Sequence, residues 1–569
     1  MTNRDIAQLL RGYAKLLEYH GENAFKTRSY TKAYDVLRKR DEPVAGLSVA
    51  ELQGIDGIGK AISQKIVDIV ATGRLRQLDE LAAASPPGAV ELLAVRGLGP
   101  KKVRQLIDEL AVESTGELLH AIRENRVIAL KGFSEKTQDK LREQLEFHQR
   151  AQGRARYADV ESAVAALLVA GRGHAARFEV TGAFARQCPV VDEIHFLATD
   201  DLNAAALDVE LRDATAVPAA SDTPAHPTSG VASLAGTLAQ VPLRVDLVPE
   251  SAFEAVKNLS DSAAEFLAAR GADPIAFDDL AETVRRAAAF AKTECATTPV
   301  PQREAASPYP PTPADSVVER GHIRGIVHAH TTWSDGSTPL PVLAEACRAA
   351  GYDYLTVTDH SKAAGYAGGL SVERLRAQRR EIDEVNARGD GFRVFAGTEC
   401  DILRDGSLDY PDEVLAELDI VIASIHSVLR MDPADATARV LAAVHHPYVD
   451  ILGHPTGRLL LSRPGYPVDM EAVLTACAKT GTAIELNASP YRLDLDWRLV
   501  GRARELGVPV SINPDAHSLA GLDDVRYGVL AAQKAGLRPE ECLNTKSADG
   551  FAAWLAARRE RAGVAAVNG

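Results

Sequence analysis

Six histidines and three carboxylates, set in short motifs between residues 328 and 517, carry most of the chemistry in this sequence. The stretch GIVHAHTTWSDGS (325–337) puts His328 and His330 two residues apart at the end of an apolar run, with Asp335 in the Asp-Gly turn that follows. In a strand, residues i and i+2 face the same side, so both imidazoles are expected to leave the strand together while the turn brings a carboxylate back to them. Alone, such a pair reads equally well as surface histidines at a strand end. Recurrence decides: His360 in TVTDHS, Glu399 in AGTE, His426 in SIHS, His454 in GHP, and Asp515 with His517 in NPDAH each follow another apolar run. Imidazole and carboxylate ligands without cysteine suit Zn2+, Mn2+ or Fe2+, and nine such groups are enough for two or three divalent ions. Closely spaced ions polarise a phosphate ester and activate water against it. Lys362 and Arg458 lie beside these residues in sequence and are expected to hold substrate phosphate.

Seven apolar strands alternating with helices from residue 320 onward must position these groups. That alternation indicates a barrel-like α/β domain whose site belongs at the C-terminal strand ends. The motifs HAHTTWSDG, TDHS, GTE, SIHS, GHPTGR and NPDAH resemble the PHP (polymerase and histidinol phosphatase) superfamily. The resemblance implies a distorted seven-stranded barrel with a multinuclear metal site and phosphoesterase activity.

The net charge of −14 disfavours nucleic acid, but it is unevenly spread: residues 1–150 carry 24 Lys and Arg against 21 Asp and Glu. A mildly basic head on an acidic body binds a phosphate backbone locally, with modest and salt-sensitive affinity. The head reads as short helices joined by tight turns. Two turns share one form, LQGIDGIGKAISQKI (52–66) and LLAVRGLGPKKVRQL (92–106), with an apolar residue between Gly57 and Gly59 or between Gly97 and Gly99. Glycines let the chain turn sharply and present backbone N–H groups at a helix N-terminus, where an anion is favoured. Lys60, and Lys101 with Lys102, add charge to a bound phosphate. A weaker third copy, VIALKGFSEKTQDKL (127–141), keeps Gly132 and has Ser134 for the second glycine. These turns resemble the helix-hairpin-helix motif, which holds DNA by its backbone without reading sequence. The stretch around Lys65 is similar to the small N-terminal domain of X-family DNA polymerases, which implies Lys65 as a Schiff-base nucleophile toward a 5′-deoxyribose phosphate. Where that family often has a second lysine, this chain has Ala61.

Between head and barrel, apolar strands read at 176–182, 193–200 and 243–250 indicate an α/β unit. It resembles an X-family palm with altered ligands. Gly182 and Arg186 keep their places, Ala183 and Ala185 replace a serine and an arginine, Glu193 and His195 stand for two aspartates, and Asp246 keeps the third. A two-ion clamp wants hard oxygen ligands around Mg2+. The expectation is a polymerase-shaped palm with a weakened Mg2+ site and no synthesis. Residues 212–240, rich in Ala, Pro, Ser and Thr, are expected as loop, and the proline-rich run 293–319 as an extended connector along the surface.

The expected architecture is multidomain. Residues 1–84 form an all-α, lyase-like domain and 85–150 a fingers-like helical domain, each with a helix-hairpin-helix. A nucleotidyltransferase-like α/β palm and thumb follow at 155–292, then the linker at 293–319 and the α/β PHP barrel at 320–569. This order resembles the bacterial X-family DNA polymerases with a C-terminal PHP domain. It implies gap-filling synthesis together with hydrolysis of DNA phosphoesters (3′–5′ exonuclease, 3′-phosphatase or abasic-site endonuclease) on gapped, nicked or damaged DNA, and the altered palm leaves hydrolysis as the expected activity. The rivals are an active gap-filling polymerase, a DNA-binding scaffold, and a histidinol-phosphatase-like small-molecule enzyme. Six scattered cysteines without a CxxC pair fit a reducing bacterial cytoplasm. The charge-interrupted N-terminus reads as an amphipathic helix, and the absence of a long apolar run speaks against a membrane partner. A monomer, associated with the nucleoid when on DNA, is expected.

Overall fold

The structure, a computed structural model, describes the chain except for residues 208–231, 269–297, 305–308 and 565–569 and the positions 41, 96, 111, 124, 125, 152, 206, 240 and 390. The chain divides into two compact units, Met1–Gln152 and Gly153–Gly569.

The first unit is helical: α1 (Asn3–Tyr19), α2 (Ala24–Lys39), α3 (Val49–Gln53), α4 (Lys60–Thr72), α5 (Arg76–Ala83), α6 (Pro87–Ala94), α7 (Pro100–Leu110), α8 (Thr115–Arg123) and α9 (Glu135–Ala151). Thr2 and Asp5 cap the start of α1 reciprocally, satisfying N–H groups that the first turn leaves without helical partners. From there Ile6, Leu10, Tyr13 and Leu17 repeat at three- and four-residue spacing. They pack against Tyr30, Ala33 and Leu37 of α2 and Ile62, Ile66 and Ile69 of α4. A second core gathers Leu92, Val103, Leu106, Leu118 and Leu145 from α6 to α9.

In the second unit a four-stranded sheet is ordered β2 (Phe178–Thr181), β4 (Ile194–Thr199), β6 (Val241–Val248), β5 (Ala232–Leu238), and a two-residue pair, β1 (Ala155–Arg156) with β3 (Val190–Val191), lies outside it. Strand β4 runs antiparallel to β2 and parallel to β6. Strand β5 corrects the sequence expectation, because residues 232–238 fall in the stretch read as loop. Its small residues carry little strand propensity, but a continuous ladder to β6, from Ala232–Leu247 to Leu238–Val241, supplies what propensity does not. Residues 212–231 and 240 of that insert lie outside the described residues.

The linker is corrected as well. Arg303 and Thr312 are buried, with Arg303 donating to the Thr298 carbonyl (2.7 Å) and the Thr312 hydroxyl to the Gly536 carbonyl (2.7 Å). Proline-rich chain lacks N–H groups and leaves carbonyls for side chains to claim. Lys534 takes one, at Pro301 (3.2 Å), and also reaches the Arg186 carbonyl (2.9 Å) and Glu304 (3.2 Å), so the connector is packed between palm and barrel.

The barrel strands are β7 (Gly325–Ala329), β8 (Tyr354–Val357), β9 (Arg393–Asp401), β10 (Ile420–Ser424), β11 (Ile451–Leu452), β12 (Ala483–Asn487) and β13 (Val510–Asn513), each neighbouring the next in one sheet. All six pairings are parallel. An Ala329–Ala516 bridge and a His330 N–H to Ala516 carbonyl bond (2.8 Å) bring β7 to the exit of β13 and nearly close the barrel. Its floor is filled by Val327, Phe395, Ile420, Ile422 and Ile451, packed against Phe551 and Leu555 of the last helix, Ala548–Arg561. That helix is held by Arg558 and Arg559, which reach the buried Asp450 at 3.4 and 3.2 Å.

Candidate metal centre

All nine histidines and carboxylates singled out in the sequence converge at the C-terminal end of this barrel. The route at β7 differs from a regular pleat. A register shift between Ile326 and Ala329 leaves His328 at φ 68, and this bulge turns His328 and His330 to the same cluster. Asp515 (φ 52) and His454 (φ 21) are also left-handed, a conformation uncommon for residues with a Cβ and concentrated at functional sites. The loop carrying Asp335 is anchored by the buried Asp359, whose carboxylate accepts the Thr331 N–H (2.8 Å) and the Ser334 N–H (3.1 Å).

Glu399 stands in the middle. Its Oε1 is 2.8 Å from His454 Nε2, 3.1 Å from His426 Nε2 and 3.4 Å from His328 Nε2, and its Oε2 is 3.0 Å from His360 Nδ1. Asp515 Oδ1 lies 3.2 Å from His330 Nε2 and 3.5 Å from His328 Nε2, and Asp335 Oδ1 lies 3.4 Å from His517 Nε2 and 3.5 Å from His360 Nε2. Three groups present ligand atoms within 4.8 Å of one another: His330, Asp335, His360 and His517; His328, His330 and Asp515; and His360, Glu399 and His426. His328 Nε2, His330 Nδ1, His360 Nδ1, His454 Nδ1 and Glu399 Oε2 are buried and make no hydrogen bond among the described residues. Buried polar atoms in that state are costly unless something else satisfies them. Nitrogen and oxygen donors converging at this spacing fit divalent cations.

The electrostatics agree. Burial would raise the pKa of Glu399, but His426, His328 and His360 outweigh it and hold the carboxyl well below its usual range. Burial, with His517 and His360 beside it, lowers His330 to about 3, leaving a neutral imidazole. Burial opposes charge on His426 and His517 too, yet Glu399 and Asp401 bring the first to about 10, and Asp335 and Asp515 bring the second to about 9.

Sequence reasoning missed the residues that orient this cage. Glu485 accepts from His328 Nδ1 at 2.6 Å and from Asn513 at 2.9 Å. Asp401 pairs with His426 Nδ1 at 3.0 Å, and Asn487 donates to Asp515 at 3.1 Å. Such partners fix which ring nitrogen faces a metal. Glu485 and Asn487 lie two residues apart in β12, a same-face spacing that repeats the HxH logic and was readable.

Of the two residues expected to hold phosphate, Lys362 is exposed. Arg458 is turned away: it pairs with Asp496 and donates to the carbonyls of Arg492 (3.0 Å) and Leu493. Its guanidinium ties down the loop that carries Arg492, and Arg492 is the arginine that reaches the cage, with Nε 3.6 Å from Asp515 Oδ2.

The palm residues arrange differently. His195 Nε2 lies 2.8 Å from Asp246 Oδ2 and Arg244 Nε donates to Oδ1 at 2.9 Å, so a buried Asp246 has an internal partner on each oxygen. Glu193 is exposed just before β4. Gly182 (φ 70) begins the short helix Gly182–Ala185, where an added Cβ would lie 3.4 Å from that of His195. Arg186 points at Glu304 (2.7 Å) in the linker. The three metal-capable groups among the described residues all lie in the barrel.

In the head, Gly57, Gly97 and Gly132 have φ 92, 89 and 88. The residues that follow, Ile58, Leu98 and Phe133, are buried, so each turn is nailed to the core while the next residue opens a helix. Gly59 is the N-cap of α4, and none of the described residues lies within 4 Å of where a Cβ on Gly59, Gly97 or Gly99 would sit. Lys60 and Lys101 are exposed, and Lys102 lies 5.3 Å over the Phe133 ring. Lys65, in α4, sits 5.9 Å from the Tyr13 ring centroid, and burial lowers its pKa.

Fold and site together define a class: a metal-dependent phosphoesterase barrel in one chain with a DNA-binding helix-hairpin-helix head. Residues 1–75 match the family described as helix-hairpin-helix domain, and residues 49–111 and 89–146 match the SAM-like helix-hairpin-helix tandem. The chain is 33% identical over 582 residues to the DNA polymerase/3′-5′ exonuclease PolX of Bacillus subtilis (strain 168), covering 98% of this chain and 99% of that one. Probable phosphatases of Thermoanaerobacter sp. (strain X514) and Caldanaerobacter subterraneus are 29% and 30% identical, over 39% and 42% of this chain and 90% and 92% of theirs. The chain belongs to the PolX family.

Proposed function

We propose that this PolX-family chain is a DNA-repair enzyme whose barrel hydrolyses DNA phosphoesters (as 3′–5′ exonuclease, 3′-phosphatase or abasic-site endonuclease) while its palm performs no synthesis. The observation that carries the reading is the set of buried ligand atoms around Glu399 that make no hydrogen bond among the described residues. In this assignment residues 1–84 and 85–150 are the lyase-like and fingers-like parts of the head, 155–292 the degenerate palm, 293–319 the connector and 320–569 the PHP barrel. The protein works as a monomer in the bacterial cytoplasm, on gapped, nicked or damaged DNA. No helix among the described residues is long and apolar enough to cross a membrane.

His328, His330, Asp335, His360, Glu399, His426, His454, Asp515 and His517 would hold two or three ions of Mn2+, Zn2+ or Fe2+. When bound, such ions supply polarisation of the phosphoester and activation of water. The chain's own residues do the rest. Glu485 and Asp401 hold the rings of His328 and His426 in place. Arg492 brings a positive charge beside Asp515, where the ester's phosphate needs neutralising. Asp335 and His517 are the most exposed of the nine, with side chains 33% and 40% accessible, and mark the side from which substrate enters. The hairpin turns grip the DNA backbone through N–H groups at the starts of α4, α7 and α9. Lys65, with its lowered pKa, is the amine available for attack on a 5′-deoxyribose phosphate.

The test is one panel. Purified protein with Mn2+ is offered a DNA 3′-phosphate end, an abasic site, a one-nucleotide gap with deoxynucleotides, and histidinol phosphate. The reading expects hydrolysis of the DNA esters, negligible extension and little turnover of histidinol phosphate. Robust extension, lost on Asp246→Asn, would make the working polymerase the right answer.

A further inference from the structure

Tyr366 lies at the mouth of the cage with no packing reason for its exposure. Tyr366 is 75% exposed, second to Phe25 among the large hydrophobic residues described, yet its ring centroid is 6.4 Å from that of His360. Burial there, with the carboxylates of Asp401, Glu399 and Asp335, makes the hydroxyl harder to ionise, and Arg492 pulls the other way. An aromatic face thus stands beside the cage, and within the cage Arg492 Nε lies 3.6 Å from Asp515 Oδ2.

The platform is rigid. It sits on the turn Gly365–Ala367, and a Ser361–Leu370 bridge with a Leu370 N–H to His360 carbonyl bond (2.8 Å) closes the base of the loop on His360 itself. Arg374 donates to the Gly368 carbonyl (2.9 Å) and the Tyr410 hydroxyl to the Leu370 carbonyl (2.6 Å). A Cβ on Gly369 would meet the Ser361 carbonyl oxygen at 2.0 Å, so only glycine allows this closure. A ring held in place in advance loses little freedom on stacking.

We propose that Tyr366 is the stacking platform for the base of the terminal nucleotide whose phosphoester enters the cage. The barrel therefore hydrolyses base-bearing 3′ ends of DNA faster than esters that carry no base, which it still accepts. A flat π face, a cation and a site for a phosphoester near one another match a nucleotide better than a phosphate ester without a base. The proposal rests on the phosphoesterase reading and narrows its substrate. Stacking of one base on an aromatic side chain is lost to alanine at a cost on the order of tenfold to a hundredfold in binding.

The experiment compares two 3′-phosphorylated oligonucleotides, one ending in adenine and one in a tetrahydrofuran residue, as kcat/KM with Mn2+. Wild type is expected to prefer the adenine end by on the order of tenfold or more. Tyr366→Ala should collapse that ratio toward one, and Tyr366→Phe should keep it, since the ring and not the hydroxyl stacks. Equal rates on both ends in wild type overturn this proposal alone and leave the phosphoesterase reading standing. So does a fall of the same factor on both ends in Tyr366→Ala, or a Phe variant that behaves like Ala. Hydrolysis of neither end by wild type removes both.

Discussion

The barrel and the palm both bring imidazole and carboxylate together from neighbouring strands, and they treat them in opposite ways. In the palm, Asp246 has His195 on one oxygen and Arg244 on the other. A buried charge satisfied from inside has little left to offer an ion, and removing an internal partner would cost stability. In the barrel, Glu399 is surrounded by four imidazoles, and several ligand atoms find no hydrogen bond among the described residues. Residue type is alike in the two regions. Whether the donor atoms are already satisfied separates a metal site from a structural knot.

The largest expected effect that sharpens this contrast is on catalysis. His328→Ala or Asp515→Asn should lower hydrolysis of a DNA 3′-phosphate by more than about a hundredfold, because a missing ligand in a shared site is not replaced by a more distant group. Binding of DNA, followed by fluorescence anisotropy, should stay close to wild type. Activity retained in a variant shown to be metal-depleted would remove the barrel as the catalyst.

One step out, Glu485→Gln should reduce metal affinity about ten- to a hundredfold, measured by competition with a chelator, because it loosens the ring of His328. The smaller head effect concerns Gly57 and Gly97. Replacing both with valine forces a β-branched residue to φ near 90 and, at Gly57, sets a Cβ 2.8 Å from Lys32 Cε. DNA affinity at low salt should fall by roughly tenfold for all sequences alike, with turnover of a small phosphate ester unchanged. Unchanged affinity with helical content preserved would count against the hairpins as the DNA grip.

Acidification gives a graded test. In the metal-free cage His426 and His517 are raised to about 10 and about 9 by neighbouring carboxylates. To act as ligands they must release protons, so metal affinity is predicted to fall as pH drops from about 8 to about 6. A pH-independent affinity would mean that those imidazoles are not ligands.

Much of this was legible because it repeats. Nine ligand-type residues recurring after six of seven apolar runs, and glycines flanking an apolar residue before a helix, are patterns that one chain displays without its fold. What was not legible depends on three-dimensional neighbours. Asp401 looks like a single acid in a strand until His426 is seen beside it. Arg458 and Arg492 exchange roles because only the loop path shows which one Asp496 captures. Residues 232–238 form a strand through pairing with β6 and not through composition. The proline-rich connector buries Arg303 and Thr312 because palm and barrel close around it, a fact that local hydropathy does not contain.

The contrast itself is tested most directly by counting metal. Protein loaded with Mn2+, freed of excess ion and measured by inductively coupled plasma mass spectrometry should retain two to three ions per chain in wild type. Glu399→Ala should lose most of them, and Asp246→Asn should retain the wild-type number. An ion lost with Asp246, or a full complement kept without Glu399, would contradict the assignment of metal to the barrel and not to the palm.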